Sequence, residues 1–141
     1  DHYLETREGK MLPVRHCIIG TEGSKIQKDV YKCFLHRPDA EVYHKAAFAD
    51  GRFPGWILKK ASRDFGKMYD EIELIGLCTD VCVISNALLM RAHWPGIDIS
   101  VDAECCAGTT PDLHEAALDV MESCQVVIKN RTKAERGNHR L

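Results

Sequence analysis

With 141 residues, 19 Lys and Arg against 21 Asp and Glu, and a net charge of -2, the chain has the size of one domain and no charge excess that would hold nucleic acid. No apolar run approaches the ~20 residues that span a bilayer, and no charged start leads into an apolar h-region, so the expectation is a cytoplasmic protein with no membrane partner. Seven cysteines, an odd number scattered over a core-sized chain, fit reduced thiols better than a disulfide scaffold, and neither Cys78 with Cys82 nor Cys33-x-x-His36 has the paired spacing of a zinc ribbon.

Residues 1 to 40 are punctuated by Gly9, Pro13, Gly20, Gly23 and Pro38 and read as mostly loop. Glu41 to Tyr43 is a short strand candidate that ends at His44 and Lys45. The spacing of Trp56, Ile57, Leu58, Phe65 and Met68 predicts a helix over 54–69. A strand follows at 72–78, then an amphipathic helix at 81–94 that buries Val83, Ile84, Ala87, Leu88 and Met90 and stops at Pro95-Gly96. Ile97 to Ala103 alternates as a strand. Thr110 caps a helix that has Pro111 at its first position and runs to about Ser123, and Gln125 to Ile128 is a last strand. Strand, helix, strand, helix, strand implies right-handed crossovers and a parallel sheet. From Lys129 to the end the chain is a polar, basic, frayed tail.

The chemistry concentrates at Gly76-Leu77-Cys78-Thr79-Asp80-Val81-Cys82-Val83, where a strand runs into a helix. Asp80 stands where an N-cap is expected, which puts Cys82 in the first helical turn. Unpaired N–H groups and the helix dipole favour an anion there, and with a nearby cation they can lower a thiol pKa to between roughly 3.5 and 7.5. In doubly wound sheets, sites lie at the carboxyl ends of strands. Lys45, the segment Cys78 to Cys82 and the loop 104–109 all follow strand candidates. By position alone, Lys45 is a solvated lysine, Cys105 and Cys106 are small buried residues, and His114 is structural.

These residues resemble the isochorismatase-like cysteine hydrolases, in particular their nicotinamidase (pyrazinamidase) branch. Gly76 to Val83 is similar to the nucleophile motif, Lys45 with Phe48 to the lysine segment, and Val101-Asp102-Ala103-x-x-Cys106-Ala107 with His114-x-x-Ala117-Leu118 to the closing pattern. Upstream, Tyr3 to Gly9, Leu12 to Cys17 and Gly20 to Gly23 resemble the segment that carries a metal-binding histidine. The likeness covers about residues 1–128 of a single domain spanning 1–141.

The resemblance implies an α/β fold, a three-layer Rossmann-like parallel sheet with flanking helices, here N-terminally incomplete. It implies an amidase that deamidates nicotinamide or a similar small carboxamide through a thioester. Cys82 matches the nucleophile, Lys45 the lysine beside it, and the backbone N–H groups of Cys78 and Cys82 the oxyanion hole, with Leu77, Thr79 and Asp80 in support. A cis peptide is expected between Leu77 and Cys78. His16 matches a ligand to a divalent metal, zinc in the first instance, and the family's habit implies a homo-oligomer.

The match is incomplete. The family opens with a strand ending in a general-base aspartate and a second strand ending in an Asp-x-His metal pair; neither is found, and Asp1 and His2 fall just after the place for that pair. Both strands would lie between the strand at 41–43 and that at 72–78, so the expectation is a divided sheet with open edges, in a piece of a protein of about 180 residues. Met11-Leu12 stand where nicotinamidases commonly place a substrate-stacking tryptophan. Two alternatives follow: a related isochorismatase-type or carbamoyl hydrolase, and a catalytically dead scaffold of the same fold.

Overall fold

The computed structural model describes residues 3–132, which fall into two compact units divided between Ala47 and Phe48. The first holds short 3-10 turns at Tyr3–Glu5 and Glu22–Ser24 and two short helices, α1 (Arg7–Met11) and α2 (Lys28–Phe34). Thr6 caps α1 by accepting the Gly9 N–H at 3.0 Å. The Gln27 side-chain oxygen accepts the N–H groups of Asp29 and Val30, at 2.7 and 3.0 Å, and so starts α2 in a stretch expected to be loop. Residues 41–45 form no strand, contrary to the expectation for 41–43. Val42 is 59% exposed and Tyr43 only half-buried, so this short run has little apolar surface to hold it in a sheet.

The second unit starts its regular structure with α3 (Phe53–Phe65), which has Pro54 in its first turn, where a missing N–H costs nothing. It ends at Gly66, whose φ of 66° is the left-handed stop that glycine adopts most readily. Then come β1 (Glu71–Leu77), a π-helical turn (Thr79–Val83), α4 (Ile84–His93), β2 (Asp98–Ala107), α5 (Pro111–Ser123) and β3 (Val127–Lys129). The strands make one parallel sheet in the order β1-β2-β3, flanked by helices. The sheet is therefore not divided among the described residues, because the strand candidate that would have stood apart does not form.

One face of the sheet is apolar. Ile72 and Leu74 of β1 and Ile99 and Val101 of β2 pack with Ile57, Val83, Ala87, Met90, Leu118 and Met121. Burying side chains such as Met90, Ile99, Leu118 and Met121 contributes roughly 1.5–3 kcal/mol each. The opposite face carries Glu71, Glu73 and Lys129, with the Lys129 ammonium bonded to both carboxylates, at 2.6 Å to Glu73. That pairing holds the Glu71 carboxyl below its usual range, first through Lys129 and then through the Ser100 hydroxyl at 2.8 Å.

Residues 129–132 are anchored where fraying was expected, and the rest of that tail lies outside the described residues. Lys129 belongs to β3, and the Arg131 guanidinium, only 7% exposed, pairs with Glu115 and Asp119 of α5 at 2.6 Å each. The likeness of β1 to β2 in register breaks near the end: Leu74 stands opposite Val101 but Gly76 opposite Cys106, so five positions of β2 match two of β1. The bulge turns the end of β2 toward the turn that follows β1.

Candidate active site

Gly76 has φ +120°, a conformation open to glycine and strained for other residues, and the Leu77–Cys78 peptide is cis, as the resemblance implied. From there the chain enters the π-helical turn. Cys78 occupies its N-cap position, and its carbonyl accepts the N–H groups of both Val81 and Val83 at 3.1 Å. No side chain caps this turn, which corrects the expectation for Asp80. The wide turn begins two residues earlier than the periodicity suggested, so Asp80 lies inside it and its carboxylate is taken elsewhere.

That carboxylate accepts the Thr109 N–H at 2.8 Å and the Thr109 hydroxyl at 2.5 Å. Partial burial works against its charge, but the two Thr109 bonds, with a smaller contribution from His114, hold its pKa below the usual carboxylate value. Beside it, Thr79 is fully buried and its hydroxyl shares a 2.8 Å hydrogen bond with Nδ1 of His114 in α5. The approach requires Gly108: a Cβ there would stand 2.8 Å from the backbone N of His114.

Cys82 is half-buried in the last part of this turn. Its carbonyl accepts the side-chain N–H of Asn86 at 2.7 Å, and the same amide nitrogen reaches the Phe48 carbonyl at 2.9 Å. Around it stand further thiols. Burial first, then the charges of Asp80 and Cys82, push the Cys78 thiol up. Burial also raises that of Cys106, against a hydrogen bond from the Gly76 backbone. Cys105, expected to be buried, is exposed, because the bulge turns Glu104 and Cys105 outward while Ala103 stays in the core.

One continuous segment thus brings together Leu77, Cys78, Thr79, Asp80 and Cys82. Lys45 and His16 belong to the first unit and are described there. Lys45 is exposed and its ammonium donates to the Ala47 carbonyl at 2.9 Å. His16 is exposed, with Nδ1 2.6 Å from the Val14 carbonyl. A carbonyl only accepts, so Nδ1 is the donor in this bond. Among the described residues, no group of three or more His, Cys, Asp or Glu side chains gathers to hold a metal. The described residues therefore gather no ligand set around His16, and Asp1 and His2 lie outside them.

Thr109, His114 and Asn86 were not singled out as site residues from sequence. The available signals were local: an asparagine four positions after Cys82, next to buried Ala87, and a Gly-Thr-Thr-Pro run ahead of α5.

A half-buried thiol in the turn joining a parallel strand to the next helix, with a cis peptide before it, defines an α/β protein of the thiol-bearing kind. The Isochorismatase domain family matches residues 3–132, and the chain belongs to that family. It is 32% identical over 108 residues to the uncharacterized isochorismatase family protein PncA of Bacillus subtilis (strain 168), covering 73% of this chain and 55% of that one. The crystal structure of nicotinamidase/pyrazinamidase PncA from Bacillus subtilis superposes with a TM-score of 0.68 at 27% identity, covering 86% of this chain and 66% of that one. Pyrazinamidase of Pyrococcus horikoshii in complex with zinc gives a TM-score of 0.54 at 25% identity, over 81% of this chain and 60% of that one. The chain therefore spans between about half and two thirds of the length of these relatives.

Proposed function

We propose that this chain carries the thiol of a cysteine amidohydrolase that converts nicotinamide, or a similar small carboxamide, to the acid and ammonia. The observation that carries the reading is the seating of Cys82 in the turn after β1, in a chain 27% identical to a nicotinamidase/pyrazinamidase.

The Cys82 thiolate attacks the carboxamide carbon, the carbonyl oxygen takes the charge, and the N–H groups of Cys78 and Cys82 receive it. The proton given up by the Cys82 thiol passes to the nitrogen, and the C–N bond breaks as ammonia leaves. Water then adds to the thioester, releasing the carboxylic acid and restoring the thiol. Lys45 is proposed as the lysine that serves this thiol. Leu77, Thr79 and Asp80 hold the turn, with Asp80 and Thr79 tied to the segment 109–114. His16 is proposed as one ligand of a divalent metal, zinc by the relative that carries it; such an ion would polarise the substrate, and no step above depends on it. The same reading places the protein in the cytoplasm, in NAD salvage, as a homo-oligomer. The seven free thiols support the reducing compartment.

Ammonia release from nicotinamide by the full-length protein, compared with its Cys82→Ala variant, tests the proposal. Loss of at least about a hundredfold in rate is expected on removing the nucleophile. Equal rates would overturn it.

A further inference from the structure

Asn86 is 7% exposed on α4, a place where the periodicity asks for an apolar side chain. Its Nδ2 donates to two carbonyls, Cys82 at 2.7 Å and Phe48 at 2.9 Å, which settles which end of the amide is nitrogen, since a carbonyl cannot donate. Among the described residues, its Oδ1 is buried with no hydrogen-bond partner. Leaving such an acceptor open costs roughly 1–3 kcal/mol. If the Cys82 carbonyl alone needed a donor, a Ser or Thr four residues on would supply one from its hydroxyl without stranding an oxygen. What Asn adds is the second proton, and that proton goes to Phe48, in the chain that leads into α3.

We infer that Asn86 is a positioning residue: its amide fastens the backbone of Cys82 to Phe48, and so holds the end of the nucleophile turn to the chain that leads into α3. The inference rests on the amidohydrolase reading for its catalytic consequence, though not for the fastening itself. Thr79 and Asp80 hold the start of the turn through α5 and its leading loop, while Asn86 holds its end.

Two variants of the full-length protein separate the bonds. Asn86→Ser restores a donor to Cys82 and removes the Asn86 bond to Phe48; Asn86→Leu, similar in size, supplies neither bond. The readouts are the rate of Cys82 alkylation by iodoacetamide, followed by mass spectrometry with exposed Cys33 and Cys124 as internal references, the kcat and KM for nicotinamide, and thermal melting. Asn86→Ser is expected to label at Cys82 within about twofold of the parent, yet to lose about tenfold in kcat with KM little changed. Asn86→Leu is expected to lose about tenfold in labelling as well, the scale of a misplaced reacting group. A folded Asn86→Ser variant with undiminished kcat, or Asn86→Leu labelling at the parental rate, would overturn the inference. Should the parent release no ammonia, the amidase reading fails on that result, and the labelling of the Ser and Leu variants still decides the fastening. If Asn86→Leu does not fold, the kcat of Asn86→Ser decides: a loss of about tenfold supports the fastening, and an undiminished kcat overturns it.

Discussion

Replacing Gly108 with alanine tests whether close approach between the loop after β2 and α5 holds the nucleophile turn. The added Cβ would meet the Cβ and N of His114 at 2.8 Å and its Cα at 2.9 Å. Carbon contacts relax only at ~3.5–4.0 Å, so one side must yield by roughly 0.7–1 Å, and two of the three opposing atoms are backbone of the first turn of α5. That turn is fastened at Thr110, whose side chain accepts the Leu113 N–H at 3.2 Å and whose carbonyl accepts the His114 N–H at 2.9 Å. Yielding therefore displaces Thr109 from Asp80 or His114 from Thr79. Overpacking costs about 1–3 kcal/mol, and loss of the bonds to a charged carboxylate adds about another 1 kcal/mol. At roughly 4 °C per kcal/mol for a domain of this size, the melting temperature should fall by about 8 °C or more. Gly55→Ala, in α3 with nothing within 4 Å of its Cβ, is the matched control and should raise stability by about 0.5–1 kcal/mol. Calorimetry or circular dichroism melts of both variants read the contrast, and a Gly108→Ala protein that melts with the parent would refute the argument.

Thr109→Val removes the hydroxyl bond to Asp80 and leaves the N–H bond. Because the folded Asp80 carboxyl lies below its ordinary value, its contribution is present above pH ~4 and is lost as pH falls through the folded value. Urea midpoints should therefore separate variant from parent by about 0.5–1 kcal/mol at pH 7 and converge toward pH 3; a gap that persists in acid would sink this account. Arg131→Met leaves Glu115, Asp119 and Glu122 of α5 facing one another without their shared cation. With the guanidinium buried and its partners partly exposed, a loss of about 1–2 kcal/mol is expected in thermal melts, shrinking on protonation of the three carboxylates; an unchanged melt would return residues 129–132 to a dispensable tail.

Element types and their order follow from sequence because they depend on neighbours three or four positions away. The apolar spacing of Val83, Ala87 and Met90, the Thr110-Pro111 start of α5, and the Pro95-Gly96 stop needed no distant partner, and Cys82 in a strand-to-helix turn followed from them. Tertiary structure decided who holds that turn. Asp80 looked like a cap until the bulge in β2, five positions against two, carried Thr109 to its carboxylate 29 residues away. Thr79 finds His114 at a separation of 35 residues, and Asn86 finds Phe48 at 38. Strand register sets the first of these pairings and helix packing the others, and neither is encoded by a local period. The short run 41–43 shows the converse: its alternation allowed a strand, and without a neighbouring strand to pair with it stayed irregular.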